Sequence, residues 1–70
     1  MMTLYDLLLL HGMVDDDTYI ILVDPEDIPL AGGKWFQDQI LNYSECEVKS
    51  FDINFITNRA QIYVYSDFIL

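Results

Sequence analysis

Basic residues are the scarcest chemistry in this chain. Its 70 residues hold only Lys34, Lys49 and Arg59 against twelve Asp and Glu, a formal net charge of −9. Direct binding to nucleic acid or to an anionic membrane needs a basic surface, so the composition argues against both. A single cysteine, Cys46, can form no internal disulfide and fits a reducing compartment. One histidine, one cysteine and the lack of a Gly-rich phosphate loop argue against an enzyme. The apolar run Leu7–Leu10 is too short to span a bilayer. It has Asp6 directly before it and no basic segment ahead, so it does not read as a signal peptide. A cytoplasmic protein is expected.

What is present is apolar and acidic. Hydrophobic residues make up 53% of the chain, and ten positions are aromatic. That content argues against intrinsic disorder, which needs low hydrophobicity as well as high charge. Residues 1–70 are expected to form one compact domain with a thin stability margin. The charge is uneven along the chain. Residues 1–33 carry seven acids and no Lys or Arg, whereas residues 34–70 carry five acids and all three bases.

Local patterns give the elements. Thr3 can cap a helix over residues 4–11, with Asp6 three positions on and Gly12 as a left-handed stop. Leu4, Leu7 and Leu8 share its apolar face, and His11 reads as a partly buried cap. Thr18–Val23 is rich in β-branched and aromatic residues and predicts a strand that is either buried on both faces or central in the sheet. Asp24-Pro25-Glu26-Asp27 is a turn. Residues 28–31 predict a return strand, which Pro29 confines to an edge. After Gly32-Gly33, Phe36, Ile40 and Tyr43 lie on one stripe of a second helix over residues 35–43. Phe51–Phe55 and Ala60–Tyr65 alternate and predict a hairpin around Thr57-Asn58-Arg59, with a bulge near Lys49-Ser50. The expected fold is α+β: a small antiparallel sheet of about four strands with two short helices, order α-β-β-α-β-β. The expected core is Leu7, Leu8, Ile20, Leu22, Phe36, Ile40, Phe51, Ile53, Ile62 and Val64.

No catalytic residue, metal ligand or cofactor is expected. Glu45 and Glu47 flank Cys46 and raise its thiol pKa, the opposite of what a nucleophile needs, so Cys46 reads as a small buried hydrophobe. A calcium loop starting at Asp15 would need Gly at its sixth position, where Ile20 stands. The two acidic clusters flank a strand roughly 20 Å long and cannot share an ion.

The candidate site is therefore a surface. Asp15, Asp16, Asp17, Asp24, Glu26 and Asp27 sit at both ends of one strand without interleaved bases. Carboxylates held rigidly in this way can imitate a nucleic-acid backbone toward a basic protein. If Ala60, Ile62 and Val64 face the helices, Tyr63 and Tyr65 point to the other side of the sheet, where tyrosines serve as interface anchors. Phe68-Ile69-Leu70 either packs onto the domain or supports self-association.

The segments Thr3-Leu4-Tyr5-Asp6-Leu7-Leu8, Asp16-Asp17-Thr18-Tyr19 and Glu47-Val48-Lys49-Ser50-Phe51 resemble small proteins of phages and mobile elements of Gram-positive bacteria. Size, acidity and compactness are similar to those of anti-CRISPR proteins. That group shares no sequence signature, so no residue role is carried over. The resemblance implies an inhibitor in a bacterial cytoplasm that blocks an RNA-guided nuclease by mimicking DNA. The alternative expectation is a small assembly protein, such as a homodimer, that self-associates through its sheet and apolar C-terminus.

Overall fold

A computed structural model describes residues 1–10 and 12–65; the readings made above for His11 and for Phe68-Ile69-Leu70 lie outside the described residues. The element order is α1 (Leu4–Leu8), β1 (Tyr19–Val23), β2 (Pro29–Gly33), α2 (Asp38–Leu41), β3 (Glu47–Asn54) and β4 (Arg59–Tyr65). This is the α+β order that the local patterns imply. The strands lie in the order β2-β1-β4-β3. Both hairpins, β1–β2 and β3–β4, are antiparallel as expected, but the central pair β1–β4 is parallel, so the sheet is mixed. Alternation and turn residues specify a hairpin locally. They carry no information on the direction of two strands about forty residues apart, which is set when the hairpins dock.

Each helix is a short clamp. At α1 the Thr3 hydroxyl accepts from the Asp6 amide at 3.2 Å, and the Asp6 carboxylate accepts from the Thr3 amide at 3.1 Å. This reciprocal cap fixes the first turn. Leu4, Leu7 and Leu8 bury one face. The helix stops at Leu8, short of the expected residue 11. The expected second helix over residues 35–43 shrinks to Asp38–Leu41. Its first turn is taken by a loop in which the Gln37 side chain accepts from the Lys34 amide at 2.7 Å. Phe36 thus lies in a turn, its ring edge-on to Trp35 with centroids 5.7 Å apart.

One face of the sheet makes the core. Ile20 and Leu22 of β1 register with Ala60 and Ile62 of β4, and all four are fully buried. Leu4, Leu7, Leu8, Ile40, Cys46 and Val64 complete the cluster. Phe36 and Phe51, expected in this core, are instead 50% and 44% exposed. Phe51 registers with buried Ile62, but β3 is an edge strand, so one flank of the ring has no neighbouring strand. The bulge expected near Lys49-Ser50 is present as a register shift between Val48 and Ser50. Pro29 opens edge strand β2, where its missing N–H costs no ladder bond.

Truncation should separate these positions. Ile62→Ala should lose about 2–5 kcal/mol, whereas Phe51→Ala should lose about 1 kcal/mol, since half of that ring already meets water. Urea midpoints at a common slope measure both. Equal losses would contradict the placement of the core.

Candidate interface: two acidic turns and an open sheet face

Both acidic clusters are turns built on the same device. In the first, the Asp15 carboxylate accepts from the Asp17 amide at 2.9 Å, and the Asp15 amide donates to the Thr18 hydroxyl at 3.0 Å. In the second, the Asp24 carboxylate accepts from the amides of Glu26 and Ile28, each at 2.9 Å. Such side-chain-to-backbone bonds close Asx turns, the reason Asp is favoured at these positions. Asp27 takes a left-handed φ of 67°, a conformation Asp tolerates.

The first turn is also knotted to the other hairpin. Thr18, only 2% exposed, places its hydroxyl 3.0 Å from the Asp15 carboxylate and 2.8 Å from the Asn58 side-chain oxygen. Its single proton serves one acceptor at a time. The Asn58 amide group reaches the Asp15 carboxylate at 3.4 Å, and the Asn58 carbonyl accepts from the Tyr19 amide at 3.0 Å. These bonds, led by the Asp17 amide and the Thr18 hydroxyl, hold the Asp15 carboxyl below the ordinary aspartate range.

The six candidate acids therefore divide. Asp15 and Asp24 hold their own turns together. Asp16 accepts from the Trp35 indole at 2.8 Å, tying the first turn to the loop before α2. Glu26 and Asp27 are exposed at the second turn, and Asp17 is exposed at the first. The clusters stand at opposite ends of five-residue β1, about 17 Å apart along the strand. They are two patches, not one. The first has a base beside it: Lys34 Nζ donates to the Asp17 carbonyl at 3.1 Å. Sequence distance hid this neighbour, because Gly32-Gly33 carries Lys34 back alongside the start of β1.

The sheet face away from the helices forms cross-strand rows. Tyr19, Arg59 and Asn54 register in one row, Ile21, Gln61 and Asp52 in the next, and Val23, Tyr63 and Ser50 in the third. Arg59 lies over the Tyr19 ring, 5.8 Å from its centroid, in a cation–π contact. The Tyr19 phenol covers Gly32 so closely that a methyl group there would come within 2.6 Å of its oxygen. Tyr63 and Tyr65 are half-buried on this face, the side the alternation in β4 assigns them. Gln61 donates to the Tyr63 hydroxyl at 2.8 Å. Loss of solvent and then the Asp27 carboxylate raise the Tyr63 phenol pKa above its ordinary value. Tyr63 registers with Val23, the residue that leads into the second acidic turn.

Other chemistry is sparse. Cys46 is fully buried, and that burial, reinforced by Glu45, pushes its thiol pKa up. No group of three His, Cys, Asp or Glu side chains among the described residues is arranged to hold a metal ion. None of the described helices is long and apolar enough to cross a membrane. No protein-family model, curated protein or solved structure matches the chain.

The Asp15 turn should leave a signature in acid. A carboxyl whose folded pKa is lowered contributes stability above its unfolded pKa of about 3.9 and loses it as pH falls through the folded value. Asp15→Ala should therefore destabilise the domain at pH 6, and the gap from the parent should narrow below about pH 3.9. Urea titrations of both proteins from neutral to acid pH check this. A gap independent of pH would show that Asp15 does not work through its charge.

Proposed function

We propose that this protein is an acidic binding module that occupies a basic, nucleic-acid-binding surface of a bacterial partner. Inhibition of an RNA-guided nuclease in the manner of an anti-CRISPR protein is the specific form of the proposal. The observation that carries it is the second acidic turn. The Asp24 carboxylate closes that turn, which leaves Glu26 and Asp27 exposed on a hydrogen-bonded loop near Tyr63. Fixed carboxylates next to an aromatic with a hydrogen-bonding tip suit a surface that otherwise accepts phosphates and bases. Asp17 extends the negative field at the far end of β1, while Lys34 weakens it there. Such a module has no reaction to perform. Its effect is steric occlusion, with long-range charge attraction raising the encounter rate.

The partner is sought by capture from a bacterial lysate on the immobilised chain, followed by elution with duplex DNA and, separately, with salt. Proteins with basic nucleic-acid sites should be retained and released by both. A variant with Asp17→Asn, Glu26→Gln and Asp27→Asn removes three charges without touching either Asx acceptor. It should fold as well as the parent and associate about tenfold more slowly, since rim charges act mainly on the association rate. Retention that ignores DNA and salt, or an unchanged rate for the triple variant, would refute the proposal.

A further inference from the structure

The sheet ends on one side at β3, and the two halves of that edge differ. The first half is covered. The Val48 amide donates to the Met2 carbonyl at 2.8 Å, the Leu4 amide donates to the Cys46 carbonyl at 2.8 Å, and Thr3 bridges to Glu47. From Ser50 to Asn54 no other strand among the described residues pairs with the outer side of β3. Alternate main-chain N–H and C=O groups of this stretch point outward, as on any edge strand.

The side chains around this edge are unusual for an acidic protein. Phe51 and Ile53 lie on the face of buried Ile62 and Ala60, Phe51 44% exposed and Ile53 half-buried against the core. Next along the chain, Phe55 is 70% exposed and Ile56 is 96% exposed. On the opposite face of the same strand stand Glu47, Ser50, Asp52 and Asn54. Proteins commonly protect such an edge with a lysine or a bulge. Here both devices, Lys49 and the Val48–Ser50 shift, lie at the covered half.

We infer that the Ser50–Asn54 edge of β3 is a docking site for an extended, cationic strand of another protein. An added strand would pair with the free main chain. Its apolar residues, at every second position, would cover Phe51 and Ile53, and an alternate Lys or Arg residue would meet Asp52. Charge selects this occupant. Within the free stretch the one charged residue is Asp52, with Arg59 of β4 beside Asn54 on the same face, in a chain of net charge −9. A second copy fits poorly. Symmetric antiparallel pairing that keeps the two faces matched sets Asp52 against its own copy, Ser50 or Asn54, and never against a cation. The site does not depend on the acidic turns and can be tested apart from them.

The probe is a capped peptide of alternating lysine and valine, about eight residues long, added to the isotope-labelled full chain. Amide resonances of Ser50–Asn54 should shift, and their hydrogen exchange should slow. A control peptide N-methylated at every residue keeps every charge but has no N–H to donate to the ladder, and it should bind at least tenfold more weakly. A peptide of alternating glutamate and valine should not bind. Asp52→Lys should weaken the lysine peptide about five- to tenfold, while Asp17→Asn leaves it within about twofold. The inference fails if the N-methylated peptide binds as well as the parent, or if protection appears at the edge of β2 or at the acidic turns but not at β3. It also fails if Asp52→Lys has no effect, or if the chain alone is already dimeric through this edge.

Discussion

The parallel pairing of β1 with β4 is the contact on which the rest of the molecule depends. It joins two hairpins that are otherwise separate in sequence, and it aligns Ile20 and Leu22 with Ala60 and Ile62 beneath the helices. Without it, each hairpin would be a two-stranded ribbon, marginal in water. The pairing begins at a polar knot. Thr18, Asp15 and Asn58 exchange hydrogen bonds where β1 starts, and the Tyr19 amide bonds to the Asn58 carbonyl. A contact spanning some forty residues carries a loop-closure cost that local elements do not, so its formation is expected to limit folding.

The same pairing decides where charge can act. It sets the two acidic turns at opposite ends of one strand, and the Asx acceptors Asp15 and Asp24 keep those turns stiff. Charge fixed in space reorders less on binding than charge on a flexible tail, and so loses less on association. The two patches are not equivalent. Lys34 and Trp35 attend the first, whereas Tyr63 attends the second. The half of β3 that no other described strand covers is a third, separate surface, with Phe51, Phe55 and Ile56 exposed beside it.

Much of this was legible in the residues. Capping by Thr3 and Asp6, the edge position opened by Pro29, the bulge before Ser50 and the outward face of Tyr63 and Tyr65 all follow from short-range rules, and all are present. Long-range arrangement was not legible. Phe36 and Phe51 carry the pattern of core residues, yet a turn removes one from its helix and an edge leaves the other without cover. Lys34 lies seventeen positions from Asp17 in sequence and reaches it only across the β1–β2 hairpin. The division of the acids could have been anticipated in part. Asp-x-Asp and Asp-x-Glu in tight turns favour Asx closure, which marks the first acid of each group as structural.

Amide hydrogen exchange on the unbound chain tests the central claim most directly, because it reads the strand pair and the turns together. Amides in β1 and β4 should exchange only through global unfolding, at the free energy found by urea. Those of Asp17, Glu26 and Ile28, each bonded to an Asp carboxylate, should exchange measurably more slowly than in free peptides. If β1 exchanged through a cheaper local opening while the β3–β4 hairpin stayed protected, the parallel pair would not be the element holding the molecule together. Turn amides exchanging at free-peptide rates would remove the rigid placement of charge on which the functional reading rests.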